Sequence, residues 1–175
     1  AGRPATAASG AAGQSGDGVE YLLFDRQVRV DQASSQYSRI VTRLVNPAGV
    51  EHQSQITIGF DPEKDRLAIH SVTVRRGSQS FDELSLGRVE VLQREAALEK
   101  GVLDGALTFH LVMRDVRVGD ILDYSFTIER REAEWGDRFF SDFSTRWVDP
   151  VARAHLRILT RSQMPLYVLD QSGQK

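Results

Sequence analysis

The sequence predicts an all-β protein, an antiparallel β-sandwich with at most one or two short helices. Three features carry that prediction: apolar residues recur with a period of two, turn-forming residues separate these runs at short intervals, and no long helical pattern alternates with them. A strand that alternates apolar and polar residues has one buried and one solvated face, which is typical of antiparallel sheets. Closely spaced turns favour a sandwich over a βαβ architecture.

Four runs show the alternation most clearly. They are Leu22, Phe24, Val28 and Val30; Ile56, Ile58 and Phe60; Leu107, Phe109, Leu111 and Met113; and Leu122, Tyr124, Phe126 and Ile128. Polar residues occupy the intervening positions of the last run, so its strand has one dry face and one wet face. Between residues 67–69 and 72–74 the apolar parity flips, which predicts a β-bulge or a change of facing near His70.

Turn signals fall between these runs, at residues 46–49, 61–65, 101–105, 118–120 and 135–137. The acidic residues of 61–65 alternate like the first ligands of a calcium loop, but Arg66 stands at the turn glycine and Val72 at the closing glutamate, so a hairpin loop is predicted. Gly119 and Asp120 are predicted to form a structural turn in which Gly119 needs a positive φ. The one helical candidate is a short connector over residues 92–100, which Gly101 would stop.

Length and composition predict one domain. Residues 1–18 are mostly Gly, Ala and Ser and read as a flexible leader, because they hold too little apolar bulk to offset the entropy of ordering. Residues 19–175 are predicted to form one β-sandwich domain, and the alternative that this domain is truncated at its C-terminal end stays open. A domain of that size buries most of a single core without a metal or disulfide staple.

Composition argues against several classes of function. The net charge is −2 and the basic residues are scattered, so nucleic acid is not a predicted partner. No apolar run approaches the ~20 residues that cross a bilayer, so no membrane insertion by this segment is predicted. The chain has no cysteine, its four histidines are isolated in sequence, and no G-x-S-x-G, phosphate-binding or dinucleotide-binding motif is present. We therefore expect no catalytic residue, metal site or cofactor in this chain. An enzyme that uses a pair of carboxylates from among Asp115, Asp120, Asp123 and Glu129 is the lowest-ranked alternative.

The aromatic stretch at residues 135–147 holds the candidate binding residues. Phe139, Phe143 and Trp147 share one parity and are expected to face the core. Trp135, Arg138 and Phe140 lie in the preceding loop or on the other parity, and they are the predicted binding residues for a partner domain or ligand. The alternative is a sandwich rim that stacks on its own loop.

Residues 115–127 show a more specific pattern, an Arg-x-Gly-Asp turn followed by an alternating strand that contains Tyr124. This pattern belongs to a larger set of segments that occur in a fixed order. The other members are the start at residues 28–31, the segments 56–62 and 67–72, the connector 93–95 and residues 143–151. Over residues 19–175 the chain resembles domain of unknown function 3857, the N-terminal β domain of bacterial transglutaminase-like proteins. One departure is visible, because residues 75–78 read Arg-Arg-Gly-Ser where family members usually carry an Asp-Gly turn.

The resemblance implies a non-catalytic accessory or recognition domain that precedes a papain-like catalytic domain with a Cys, His and Asp triad. The partner would be that downstream transglutaminase-like domain, in a periplasmic or secreted bacterial protein. Because this chain supplies no such triad, we expect it to have no enzyme activity alone. The alternative, of a different class, is a free-standing β-sandwich module that binds a peptide or a glycan along a sheet edge or on Trp135 and Phe140.

Overall fold

Nine strands and two short helices make up the described part of the chain. The computed structural model describes residues 17–31, 33–93, 105–130, 143, 149–160, 165 and 167. The strands are β1 Val19–Val30, β2 Ser34–Leu44, β3 Gln55–Phe60, β4 Asp65–Arg76, β5 Gln79–Asp82, β6 Arg88–Gln93, β7 Leu107–Val112, β8 Ile121–Arg130 and β9 Ala154–Thr160, and the helices are α1 Pro47–Gln53 and α2 Glu83–Leu86. This confirms the predicted fold class.

The strands form two sheets of unequal size. The larger sheet has the order β5-β4-β8-β2-β1-β9 and the smaller has the order β3-β7-β6. All the named pairs are antiparallel except β1 with β9, which are parallel over residues 24–30 and 154–160. β8 lies at the centre of the larger sheet, since it pairs with β2 on one side and with β4 on the other along its whole length.

The core lies between the two sheets. Its buried apolar residues come from β2, β3, β4, β7 and β8 and from the residue after β7; they are Leu44, Ile56, Ile58, Val72, Val74, Phe109, Leu111, Met113 and Leu122. Most residues predicted to face inward on β3, β7 and β8 are buried in this cluster or packed against it, whereas Phe60 and Leu107, at one end of the smaller sheet, are half-buried and lie outside it. Because full burial of one such side chain contributes ~1.5–3 kcal/mol, this cluster dominates the stability of the sandwich.

A bulge interrupts β4 at the predicted place. Ile69 lies opposite Phe126 and Ser71 lies opposite Ser125, so His70 is an extra residue in the ladder. After the bulge Val72 and Val74 reach the core, which explains the flipped parity in the sequence.

Two predicted turns have other structures. Residues 46–49 are the start of α1, where the Asn46 side chain caps the helix by accepting a hydrogen bond from the Gly49 amide at 3.0 Å and Pro47 occupies the first turn. The prediction of a hairpin at residues 61–65 is wrong, because β3 pairs with β7 and the loop carries the chain into β4 of the other sheet. Asp61 folds the loop by accepting from the Glu63 amide at 3.0 Å.

Two other predicted segments are described only in part. Residues 92 and 93 of the expected helix end strand β6, and residues 94–100 lie outside the described residues. Residues 1–16 of the expected leader also lie outside them. Asp17 and Gly18 are held in place: the Val19 amide donates to the Asp17 carboxylate at 3.1 Å and the Val45 amide donates to the Gly18 carbonyl at 3.0 Å.

Candidate functional site

The structure describes two of the residues that the sequence singles out. Gly119 and Asp120 form the turn that leads into β8. Trp135, Arg138 and Phe140 lie outside the described residues, so the aromatic binding surface stays a prediction. The described candidate site therefore centres on the Gly119 turn.

The turn at Gly119 fastens the connection between β7 and β8 to the end of β2. Gly119 has a φ of +92°, in a region that residues other than glycine rarely adopt. Its amide donates to the Leu44 carbonyl at 2.7 Å, and the Leu44 amide donates to the Asp120 carbonyl at 3.0 Å. The left-handed backbone of Gly119 thus lets both amides reach their partners.

Asp120 is a buried carboxylate with a complete set of donors. Its side chain is 1% exposed, and Arg76 at the end of β4 donates to both of its oxygens, from Nε at 2.8 Å and from Nη2 at 2.7 Å. The Arg117 amide donates to Oδ2 at 2.8 Å. Burial by itself would raise the pKa of Asp120, but these hydrogen bonds outweigh it and hold the pKa below its ordinary value. The hydrogen bonds that Arg76 donates to Asp120 raise the pKa of Arg76, so both groups are charged at neutral pH.

Asp115 extends this ion pair to the surface. Arg76 Nη2 donates to the Asp115 carbonyl at 2.6 Å, and Arg117 Nε donates to the Asp115 carboxylate at 2.8 Å. The hydrogen bond from Arg117 lowers the pKa of Asp115. Asp115 itself has a φ of +50°, a conformation that aspartate tolerates better than most residues. We call Arg76, Asp115, Arg117 and Asp120 the arginine–aspartate cluster.

A cleft of about 300 Å³ lies beside the arginine–aspartate cluster, at the edge of the sandwich where α2 passes from the larger to the smaller sheet. It is lined by Val74, Arg76, Phe81, Glu83, Leu86, Arg114 and Asp115. The Arg76 guanidinium lies over the Phe81 ring, 5.6 Å from its centroid. Glu83 is 3% exposed, and its carboxylate accepts from the Arg114 amide at 2.9 Å. The cleft therefore has an apolar wall, a neutralised arginine and the exposed residue Arg114 at its mouth.

The polar groups that line the cleft are two carboxylates, of Glu83 and Asp115, and two guanidinium groups, of Arg76 and Arg114. No lining residue has a hydroxyl or thiol, and its carboxylates already accept hydrogen bonds. Three histidines of the described residues touch polar groups, and none of them lines the cleft: His70 on β4 contacts Thr127 Oγ1 at 2.7 Å, His110 on β7 contacts Gln55 Oε1 at 2.9 Å, and His155 on β9 contacts the Asp25 carboxylate at 2.8 Å. β4 and β9 are four strand spacings apart, about 19 Å at ~4.8 Å each, so these contacts do not converge on one centre.

The described residues show neither a metal-binding cluster nor a membrane-spanning helix. Within the described ranges no three His, Asp or Glu side chains group in a way that would hold a metal ion. None of the helices in that part of the chain is long and apolar enough to cross a membrane. The expectations of no metal and no cofactor stay predictions.

Sequence reasoning placed the turn but missed its partners. Arg76 lies 44 residues before Asp120 and was noted only as part of an unusual turn sequence. In the structure that turn is a two-residue hairpin loop in which Gly77 has a φ of +57°. The burial of Asp120, which the sequence does not reveal, is what requires a cationic partner at this turn.

The fold and the cluster define a β-sandwich domain built around a conformationally fixed Arg-x-Gly-Asp turn. Residues 31–175 match a family described as a domain of unknown function, DUF3857, and the chain belongs to that family. The match begins after β1, yet β1 lies between β2 and β9 in the larger sheet. None of the curated protein sequences compared with the chain matches it.

Two solved structures are similar to this chain to different degrees. One is a "putative protease" from Parabacteroides distasonis, with a TM-score of 0.60 and 13% sequence identity over 68% of this chain and 24% of that chain. This chain thus spans about a quarter of the length of the Parabacteroides protein, and the likeness is one of fold. The other is a family IIIa CBD from Clostridium cellulolyticum, with a TM-score of 0.36 and 14% identity over 66% of this chain and 74% of that chain, too weak a superposition to support an inference.

Proposed function

We propose that this chain is a non-catalytic accessory domain that docks on and orients a papain-like, transglutaminase-like catalytic domain of the same polypeptide, in a periplasmic or secreted bacterial protein. One observation carries the proposal: the same fold occupies about a quarter of a much longer protein described as a protease. The absence of cysteine from all 175 residues supports it, because a papain-like triad needs a thiolate that this chain does not supply.

The geometry of the cleft supports a docking role. A volume of about 300 Å³ is at the lower end of small-molecule sites, and it suits one or two side chains of a protein partner. Phe81 and Leu86 offer apolar contacts beside the buried Val74, and the exposed Arg114 adds a positive charge. A partner that fits this cleft would insert an apolar side chain against its apolar wall and place a carboxylate near Arg114. The arginine–aspartate cluster holds that wall in place.

The proposal is tested first by the coding sequence beyond Lys175. We expect it to encode a Cys, His and Asp set at papain-like spacing. A stop codon, or a following domain without that set, would overturn the proposal. The isolated 175-residue chain is expected to show neither amine incorporation nor peptide cleavage, and either activity measured with this chain alone would overturn the accessory assignment.

Docking is tested by titrating the separately produced catalytic segment against this chain. Arg114→Glu should weaken the association about tenfold, because it places like charges at the contact. Arg153→Glu is the matched control, since it makes the same charge change at another exposed arginine and should leave the affinity unchanged. Equal effects of the two variants would assign the loss to net charge and not to the cleft. Specific binding of the chain to a peptide or glycan array, with no affinity for the catalytic segment, would favour the free-standing module.

A further inference from the structure

Residues 86–92 hold an unusual concentration of exposed apolar side chains. Of the seven large apolar residues that are exposed in the described part of the chain, four lie in this heptapeptide. They are Leu86, Val89 and Leu92, each 44% exposed, and Val91, 58% exposed. Single exposed apolar residues are ordinary, but a contiguous patch of them marks an interaction surface.

The patch lies on an edge strand. Among the described residues β6 pairs with β7 alone, so its other edge faces away from the sheet. Val89 and Val91 lie opposite the core residues Leu111 and Phe109 on β7. The side chains of Val89 and Val91 therefore extend the inner face of the smaller sheet beyond the area that the larger sheet covers. A strand edge without a described neighbour can serve as a template for another strand.

The sequence of β6 is complementary to itself in one antiparallel register. If two copies pair about Val89, Arg88 of each copy lies opposite Glu90 of the other, and Val91 lies opposite Gly87. Leu92 of each copy then comes near Leu86 of the other. Moving the centre of pairing to Arg88 or to Glu90 sets two like charges directly opposite each other, which disfavours those registers.

We infer that this chain forms a two-fold symmetric dimer in which β6 pairs with β6 of a second copy, joining the two smaller sheets into one continuous sheet of order β3-β7-β6-β6-β7-β3. Arg88 and Glu90 already form an ion pair within the strand, 2.6 Å apart, so both side chains project from the same face and each is placed to reach its counterpart across the interface. The dimer requires only this chain and is independent of the proposed accessory function.

Sedimentation velocity over a range of concentrations tests the inference with complementary charge variants. Arg88→Glu alone and Glu90→Arg alone each create two like-charged cross-strand pairs and should weaken self-association about tenfold or more. An equimolar mixture of the two single variants restores both pairs and should form a one-to-one heterodimer, and the double variant R88E/E90R should dimerise like the original chain.

A second pair of variants distinguishes the β6 edge of the smaller sheet from the β9 edge of the larger sheet. Val89→Lys on β6 and Leu156→Lys on β9 change side chains that are 44% and 45% exposed, each on an edge strand. Only Val89→Lys should dissociate the dimer, and far-UV circular dichroism should show that both variants keep the β-sheet spectrum. A chain that sediments as a monomer up to its solubility limit would overturn the inference, and so would a dimer that persists in both single charge variants.

Discussion

β8 and β6 have similar alternating sequences and opposite surroundings. β8 is flanked by β2 and β4 and covered by the smaller sheet, and its Leu122 is 1% exposed. β6 has one described neighbour, and its Val91 is 58% exposed. Alternation therefore specifies a strand and the face on which its apolar side chains lie, whereas burial depends on what the rest of the chain brings against that face.

The largest expected contrast is between core truncations on these two strands. Leu122→Ala should lower the free energy of unfolding by ~3 kcal/mol, because it removes buried methyl groups and leaves a cavity. Val91→Ala should lower it by less than ~0.5 kcal/mol, since most of the Val91 side chain is already in water. Urea unfolding, at protein concentrations low enough to keep the chain monomeric, measures both free-energy losses. Equal losses would contradict the assignment of β6 to the surface.

The ion pair beside β8 should matter more than one at the surface. Asp120→Asn should cost ~2 kcal/mol, because it leaves the Arg76 guanidinium without its buried charged partner. Glu20→Gln breaks the pair between Glu20 Oε2 and Arg43 Nη1, 2.7 Å apart at an exposed position, and should cost less than ~0.5 kcal/mol. The difference between the two melting temperatures checks the contrast, and a larger loss in Glu20→Gln would refute it.

The same ion pair predicts a pH dependence whose sign is fixed. The pKa of Asp120 is lower in the folded chain than the value of ~3.9 expected when unfolded, so its contribution is present above that value and is lost as pH falls through the folded-state pKa. The stabilities of the original chain and Asp120→Asn should therefore converge at acid pH. Asp61 and Asp115, whose pKa values are also lowered, keep part of the acid sensitivity in both proteins. A gap that stays constant down to pH ~2 would exclude the role of the Asp120 charge.

The smallest contrast isolates backbone conformation at two open glycines. A side chain at Gly119 or at Gly59 would meet nothing within 4 Å, but only Gly119 has a positive φ. Gly119→Val should therefore cost ~1 kcal/mol or more through strain, and Gly59→Val, in strand β3, should be neutral or slightly stabilising. Thermal melting distinguishes them, and an unchanged melting temperature for Gly119→Val would show that the turn relaxes without cost.

Particular elements show where sequence reasoning reached and where it stopped. The bulge at His70 was predictable because parity is a local property of the chain. α1 was read as a turn because Asn46 and Pro47 serve equally well in a turn and at a helix start, and seven residues are too few to show a helical period. β6 was not identified as a strand, and its last two residues were assigned to a helical connector.

Sequence by itself determined which residues of this chain alternate, which glycine needs a positive φ and which residue types are absent, since these are properties of neighbouring residues and of composition. Tertiary structure alone decided that residues 61–65 cross between sheets, that β9 runs parallel to β1, and that Arg76 meets Asp120. These pairings join residues far apart in the chain, and their stability depends on loop closure and burial summed over the whole fold. No short window of sequence contains that sum.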